Sequence, residues 1–313
     1  MHSELRITIA ICTYNRAGYL KDTLEDLTLQ DISPSLFEIL VVNNNSSDGT
    51  DTVCEIFSRT NPQIQFRWVQ EPRQGLSHAR NKAAKEARAQ AIHYIDDDVY
   101  LPNDFVRTAI MYADKRESTI CAGGRILVSF DDLEKQPDWI PGELMPMFGL
   151  HDLGKHDMTY PSGNFPRGGN MMIRKTVFDA FGYFDTQLGR SGNKLLGSEE
   201  KAFFERIRKN GVQLHYWAGL QLTHRIGNQR LEKEYLKKQS VGIGRSERLR
   251  VREVFTETAA KFASESIKLA GSFLIAAMYM IRGKVKAAVF LIQFRFWVLN
   301  GFIKGDKDDD SLM

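Results

Sequence analysis

Cysteine is scarce in this chain. Cys12, Cys54 and Cys121 are widely separated and odd in number. That speaks against a disulfide framework or the paired spacing of a structural zinc site, and it suits a reducing compartment. A surplus of one charge is missing too: 42 basic residues against 39 acidic ones leave +3. With no recognised nucleic-acid module either, no nucleic-acid partner is expected. The opening Met1-His2-Ser3-Glu4 has no basic region followed by an apolar run, so no signal peptide is read there and a cytoplasmic catalytic part is expected. Apolar runs of membrane-spanning length are lacking as well. Residues 269–281 and 287–303 are strongly apolar, but both fall short of about 20 residues, and the second contains Gln293 and Arg295.

What is present fits a globular protein: 313 residues, 42% hydrophobic and 26% charged, enough for one large domain or two smaller ones. Leu5–Ile11, Phe37–Val42, Gln65–Val69 and Ala91–Ile95 read as strands. Between them Leu20, Leu24 and Leu27, then Val53 and Phe57, then Ala79, Ala83, Ala84 and Ala87 fall at helical spacing, with Asp48 or Ser46 as a cap for the second helix. Alternation of this kind predicts an α/β fold with a parallel, doubly wound sheet. The polar turns at 13–16 and 43–48 and the acids after Ile95 would then meet in one crevice at the carboxyl edge.

Those acids, Asp96-Asp97-Asp98, are the chemical centre of the sequence. Adjacent carboxylates repel, and hard divalent ions shared with substrate phosphates relieve such repulsion. A metal site for a diphosphate is one reading; a solvated acidic turn is the other. Pro102 opens a helix through Phe105, Ala109 and Tyr112, and 120–130 reads as a strand. Residues 131–166, with Trp139 among several aromatics, form a long loop of the kind that binds ligands or covers sites. Arg167-Gly168-Gly169-Asn170 lets backbone approach a ligand or another segment closely. Glu199 and Glu200 open a helix carrying Phe203, Phe204 and Ile207; they serve either as dipole partners or as a general base. Gln213–Trp217 and Leu220–Thr223 read as strands, the second delivering His224 to the edge.

Eight short motifs in order carry a resemblance: Thr13-Tyr14-Asn15-Arg16, Val41–Thr50, Ala79-Arg80-Asn81, Asp96-Asp97-Asp98, Gly168-Gly169-Asn170, Gly182-Tyr183-Phe184-Asp185, Gly197-Ser198-Glu199-Glu200 and His224. Over about residues 5–246 the chain resembles the large second family of inverting, nucleotide-sugar-dependent glycosyltransferases with the GT-A fold. The resemblance implies a Rossmann-like sheet flanked by helices. It implies that Thr13, Tyr14, Asn15, Arg16, Asn43, Asn45, Arg80, Asp96, Asp97 and Asn170 hold the nucleotide sugar. Asp98, with Asp96 and His224, would bind Mn2+ or Mg2+; Gly169 and Asn170, with Trp139, would meet the acceptor; Glu200, or its rival Glu199, would be the base. Two departures stand out. Many members carry Asp where Asn43 stands, which bears on UDP as the nucleotide, and Glu-Asp is the commoner form of Glu199-Glu200.

The implied organisation is a catalytic domain over 1–226, divided into a nucleotide half (1–100) and an acceptor half (101–226), followed by a helical region over 227–313. In that last region Arg245 of Gly242–Ser246 is a candidate clamp on the diphosphate. The two short apolar stretches suggest a hairpin lying in the inner face of the cell membrane, with Arg282, Lys284, Lys286 and Lys304 on lipid headgroups, or else packing on the catalytic domain or in a homodimer. Asp306–Asp310 reads as a disordered tail. The expected activity is transfer of a sugar to a glycan or lipid-linked acceptor. The alternatives are a nonenzymatic nucleotide-sugar-binding scaffold and a sugar nucleotidyltransferase, although the latter class carries a glycine-rich basic loop where this chain has Thr13–Arg16.

Overall fold

The computed structural model describes residues 5–115, 121–190, 198–251 and 254–305. Gly197 of the acidic motif and the tail from Asp306 lie outside them. The chain forms two units: 1–128, 149–186 and 199–225 make the first, and 129–148, 187–198 and 226–313 the second.

The first unit is built on a mixed sheet. Its parallel half comprises β1 (Ile7–Thr13), β2 (Phe37–Asn43), β3 (Gln65–Gln70) and β4 (Ala91–Ile95), in the order β3-β2-β1-β4. Beyond β4 the remaining strands make the sheet mixed. The short β5 (Val99–Tyr100), β6 (Cys121–Phe130), the short β7 (Met158–Thr159), β8 (Asn170–Arg174) and β9 (His215–Ile226) extend it, with β8 antiparallel to both β4 and β6. The two strands read at 213–217 and 220–223 are one strand, β9. Gly219 does not break it but lets the Tyr112 hydroxyl come within 2.9 Å of where a Cβ would sit.

Side chains alternate across the strands and so sort the helices into two layers. Ile7, Ile9 and Ile11 of β1 and Ile39 and Val41 of β2 point to one face. They pack with Leu20, Leu24 and Leu27 of α1 (Ala17–Thr28), Cys54 and Phe57 of α2 (Thr50–Thr60) and Phe105, Val106 and Ala109 of α4 (Phe105–Lys115). Ala10, Leu40 and Val42 point to the other face. There they meet α3 (Leu76–Glu86), α5 (Lys175–Phe181) and α6 (Glu199–Lys209) through Ala79, Ala83, Val177, Phe203 and Phe204. The alanines of α3 leave no bulk between helix and sheet. The cap of α2 is Gly49 rather than the expected Asp48 or Ser46. Asp48 still serves two helix starts, accepting from the Thr50 N–H at 3.1 Å and the Ala17 N–H at 2.9 Å.

The second unit contains α7 (Lys233–Val251), α8 (Phe255–Ile281) and α9 (Val285–Lys304). Gly242–Ser246, which carries the candidate clamp Arg245, is the interior of α7. Gly244 faces the Val298 carbonyl and the Phe302 amide of α9, Gly301 faces Val241 of α7, and any side chain at either glycine would force the helices apart. Within the same unit Trp139 stacks edge-on against Phe290, and Gln239 donates to the Met147 carbonyl at 2.9 Å. The single loop expected over 131–166 is thus divided: its first part belongs with these helices, and the part from Gly149 with the sheet. The helices are also longer than the apolar runs suggested. α8 has 27 residues and α9 has 20, so both are long and apolar enough by composition to cross a membrane.

Two histidines give the first unit a pH signature. His93 is sealed in the sheet with Nε2 2.8 Å from Asn170 Oδ1, and His151 is buried with Nε2 2.8 Å from the Tyr160 hydroxyl. Burial pushes each down to about 4. In the unfolded chain they take up protons near 6.5, so between about pH 6.5 and 4 the unfolded state binds more protons and stability falls as pH falls. Urea unfolding from pH 7 to 5 is expected to lose up to about 1.4 kcal/mol per pH unit for each histidine. His151→Gln should remove that histidine's share of the slope; an unchanged slope would refute the assignment.

Candidate active site

The register of the sheet assembles the site. Thr13 pairs with Asn43 and Ile11 with Ile95, so β1, β2 and β4 deliver their carboxyl ends to one edge. β8 runs the other way with Asn170 opposite Ile95, which brings the preceding Gly168–Gly169 turn to the acids. β5 sets Val99 opposite His224, bringing the imidazole to Asp98. Asn15 and Asn45 both take left-handed backbone (φ 51° and 62°), which Asn tolerates better than most residues. The Asn15 carboxamide oxygen accepts from the Ser47 N–H at 2.7 Å, tying the two polar loops together. Tyr14 remains exposed.

Asp96, Asp98 and His224 offer two carboxylate oxygens and an imidazole nitrogen within 4.8 Å of one another. Asp98 is buried, and its Oδ2 is 2.5 Å from Arg16 Nη2 and 3.2 Å from His224 Nε2. Two glycines leave room for the set. A Cβ on Gly169 would come 2.7 Å from Asp96 Oδ2, and one on Gly149, whose φ is +98°, would come 2.7 Å from His224 Nδ1. A hard divalent ion suits such oxygens, and the imidazole favours Mn2+ over the still harder Mg2+. The residues therefore fit a divalent ion.

Asp97 has partners of its own. It is buried, accepts from the Thr13 hydroxyl at 2.6 Å and pairs with Arg16 Nε at 3.3 Å. Burial raises its carboxyl to about 6. It braces Arg16 and Thr13. Asn170 is likewise engaged within the fold. It is fully buried; its Oδ1 meets His93, and its amide donates to the Arg125 carbonyl at 3.0 Å and the Leu220 carbonyl at 2.8 Å. That side chain knits β8 to its neighbours and has no amide hydrogen left for a sugar. Asn43, also buried, donates to Asp51 at 2.9 Å and accepts from the Ser46 N–H at 2.9 Å, so it shapes the loop that was expected to read the base.

A second acidic cluster lies beside the first. Arg80 is buried, with Nη1 2.8 Å from Glu199 and Nη2 3.0 Å from Glu200. A Cβ on Gly168 would strike both Arg80 Nη2 and Glu200 Oε1, while the next residue, Gly169, touches Asp96. The carboxylates of Asp96 and Glu200 therefore flank one two-glycine turn. Glu199 is buried, whereas the Glu200 side chain is 19% exposed. Asn81 and Phe184 exchange hydrogen bonds at 2.9 and 3.0 Å, which explains why those two motifs travel with the acids: they clamp α3. Cys12, the nearest thiol, is pushed up to about 12 by burial and is no nucleophile. Arg245 and Trp139 belong to the second unit.

Sequence reasoning missed Gly149 and the Arg16 grip on Asp97 and Asp98. Gly149 lies in the long loop without a motif, and Arg16 is separated from those acids by some eighty residues of chain.

Comparison with known proteins agrees with this geometry. The model of a family described as glycosyl transferase family 2 matches residues 8–182. A glucosyl-dolichyl phosphate glucuronosyltransferase of Haloferax volcanii is 23% identical over 248 residues, covering 78% of this chain and 77% of its own length. A mannosyltransferase of Pyrobaculum calidifontis, solved with GDP-Man and Mn2+, superposes with a TM-score of 0.63 at 15% identity, covering 97% of this chain and 88% of that one. Residues 1–349 of TarS from Staphylococcus aureus superpose with a TM-score of 0.50 at 15% identity, over 96% of this chain and 91% of that one. At these identities the structural matches speak to the fold, which is GT-A-like.

Titration with Mn2+ should find one site in the wild-type chain. Asp98→Asn or His224→Gln should weaken it about 10- to 100-fold by calorimetry, since each removes a ligand. Gly169→Ala should weaken it as well, by crowding Asp96 without altering any ligand. Unchanged affinity in all three variants would dismiss the cluster as a metal site.

Proposed function

This chain belongs to glycosyl transferase family 2 and is a glycosyltransferase that moves a sugar from a nucleotide sugar; from that premise we propose that it is a metal-dependent, inverting enzyme acting on a lipid-linked or glycan acceptor, with Glu200 as its base. The observation that carries the reading is the shared turn: Asp96 and Glu200 lie against consecutive glycines. A donor whose diphosphate is held near Asp96 would thus present its sugar beside Glu200. A divalent ion bound by Asp96, Asp98 and His224 supplies positive charge against the departing diphosphate.

The chain's own groups take the remaining roles. Glu200 accepts the proton of the attacking hydroxyl, and Arg80 holds its carboxylate in place. Attack from the face opposite the diphosphate inverts the anomeric carbon in one displacement, without a covalent intermediate. Glu199 is buried against Arg80 and acts as that arginine's anchor. Arg16 and Thr13 sit at the diphosphate end of the crevice. UDP is the nucleotide implied by the sequence resemblance, and the lipid-linked acceptor is suggested by the dolichyl phosphate relative.

The helices of the second unit support a membrane-side location. α8 is turned inside out. Glu265 and Ser272 are buried, Lys261 pairs with Glu247 at 2.8 Å and with Glu265 at 2.9 Å, and Arg295 of α9 donates to Ser272 at 3.2 Å. Its outward stripe, Ile267, Leu274 and Ile281 at seven-residue intervals, is 71%, 74% and 86% exposed. A helix with charge inward and apolar side chains outward suits a lipid surface. Arg282, Lys284 and Lys286 follow at its end, where anionic headgroups would attract them. One face of α9 is already covered by α7, so the lipid contact falls mainly to α8, a narrower surface than the symmetrical hairpin expected from the sequence.

Glu200→Gln should reduce transfer by roughly 100- to 10,000-fold with nucleotide binding and thermal stability retained. Glu199→Gln should instead cost roughly 3 kcal/mol of stability by breaking a buried pair. Active Glu200→Gln enzyme would end the base assignment. Flotation with anionic vesicles should carry the wild-type chain upward, and the double variant Leu274→Asp, Ile281→Asp should stay below. Equal flotation would refute the lipid face, as would a stable dimer that buries it.

A further inference from the structure

Among the described residues of the first unit, every buried or half-buried arginine but one donates to a carboxylate or a backbone carbonyl. Arg80 grips its two glutamates, Arg125 pairs with Asp152 at 2.5 Å, Arg206 donates to the Tyr183 carbonyl at 2.6 Å, and Arg16, Arg67, Arg174, Arg208 and Arg225 are likewise engaged. The exception is Arg167. It is half-buried and lies over the Phe165 ring at 4.2 Å, with no side-chain hydrogen bond or ion pair. The nearby acids are already taken: Asp152 by Arg125, and Glu200 by Arg80.

Its position is fixed from two directions. The Arg167 carbonyl accepts from the Asn170 N–H at 2.9 Å, so Arg167 is the first residue of the turn whose centre is Gly168–Gly169. Phe165 stacks on Phe204, which is four residues after Glu200 and so on the same face of α6. Arg167 thus leads into the glycine turn that Glu200 touches, and its guanidinium is held over the Phe165 ring. A guanidinium lying on an aromatic face keeps its N–H edge open for a planar anion. With no carboxylate or carbonyl engaged, that edge is available to an anionic ligand.

We propose that Arg167 is an anion subsite at the sugar end of the crevice, recognising a carboxylate or phosphate group carried by the donor sugar or by the acceptor. Two sources share this chemistry: a uronic acid moiety, and the phosphate of a phosphorylated or lipid-phosphate acceptor. The subsite rests on the glycosyltransferase reading for its biological meaning, but not for its existence.

The test uses calorimetry on the full chain, with the diphosphate site first filled by UDP or GDP and Mn2+. The probes are methyl phosphate and methyl glucuronide, with methyl glucoside as the neutral control. The wild-type chain should bind one anionic probe in preference to the control, and Arg167→Gln should weaken that binding about tenfold to a hundredfold. The probe that responds distinguishes phosphate from carboxylate. If Arg167→Gln does not fold, Arg167→Lys replaces it; that change keeps the charge but loses the two-pronged grip, and a severalfold loss is expected. Equal affinity of wild type and variant, or no anion preference in the wild type, overturns the subsite. Failure of both nucleotides to bind would count against the donor reading alone; the probes on the nucleotide-free chain would still decide Arg167.

Discussion

Repulsion among carboxylates is the constraint to which this site is built. Asp96, Asp97, Asp98, Glu199 and Glu200 gather at one edge of a buried sheet, where desolvation makes uncompensated charge expensive. Two guanidiniums answer it. Arg16 spans Asp97 and Asp98, and Arg80 spans Glu199 and Glu200. Three of the four acids so held, Asp97, Asp98 and Glu199, are buried, and Glu200 is the more open one.

Much of the sheet was legible because burial on both faces writes itself as unbroken apolar runs, and the helices because Leu20, Leu24 and Leu27 repeat at their period. The convergence of polar loops followed from parallel order alone. Other features were not legible for definable reasons. An asparagine looks the same in sequence whether it faces a ligand or the core, and the hydrogen bonds that the amides of Asn43 and Asn170 make inside the protein leave no trace in it. Gly219 resembles a strand break but admits Tyr112. α8 looked too short to span because Lys261, Glu265 and Lys268 interrupt its apolar pattern; both lysines pair with the buried Glu265.

The two units use glycine in the same way for different ends. In α7 and α9, Gly244 and Gly301 remove the side chains that would separate two helix backbones. In the first unit, Gly168 and Gly169 remove the side chains that would separate two acids from each other. Packing density sets the first requirement and reaction geometry the second, and neither would be recognised from glycine content alone.

The turn at 168–169 also bears on how freely this gene can drift. Alanine is the smallest step away from glycine, yet its methyl carbon would intrude on the Arg80–Glu200 pair at one position and on Asp96 at the next. Codon changes there have no conservative option. Diversification toward new substrates is therefore channelled into the flanking side chains, and the two glycines remain a fixed hinge-pin around which specificity can change.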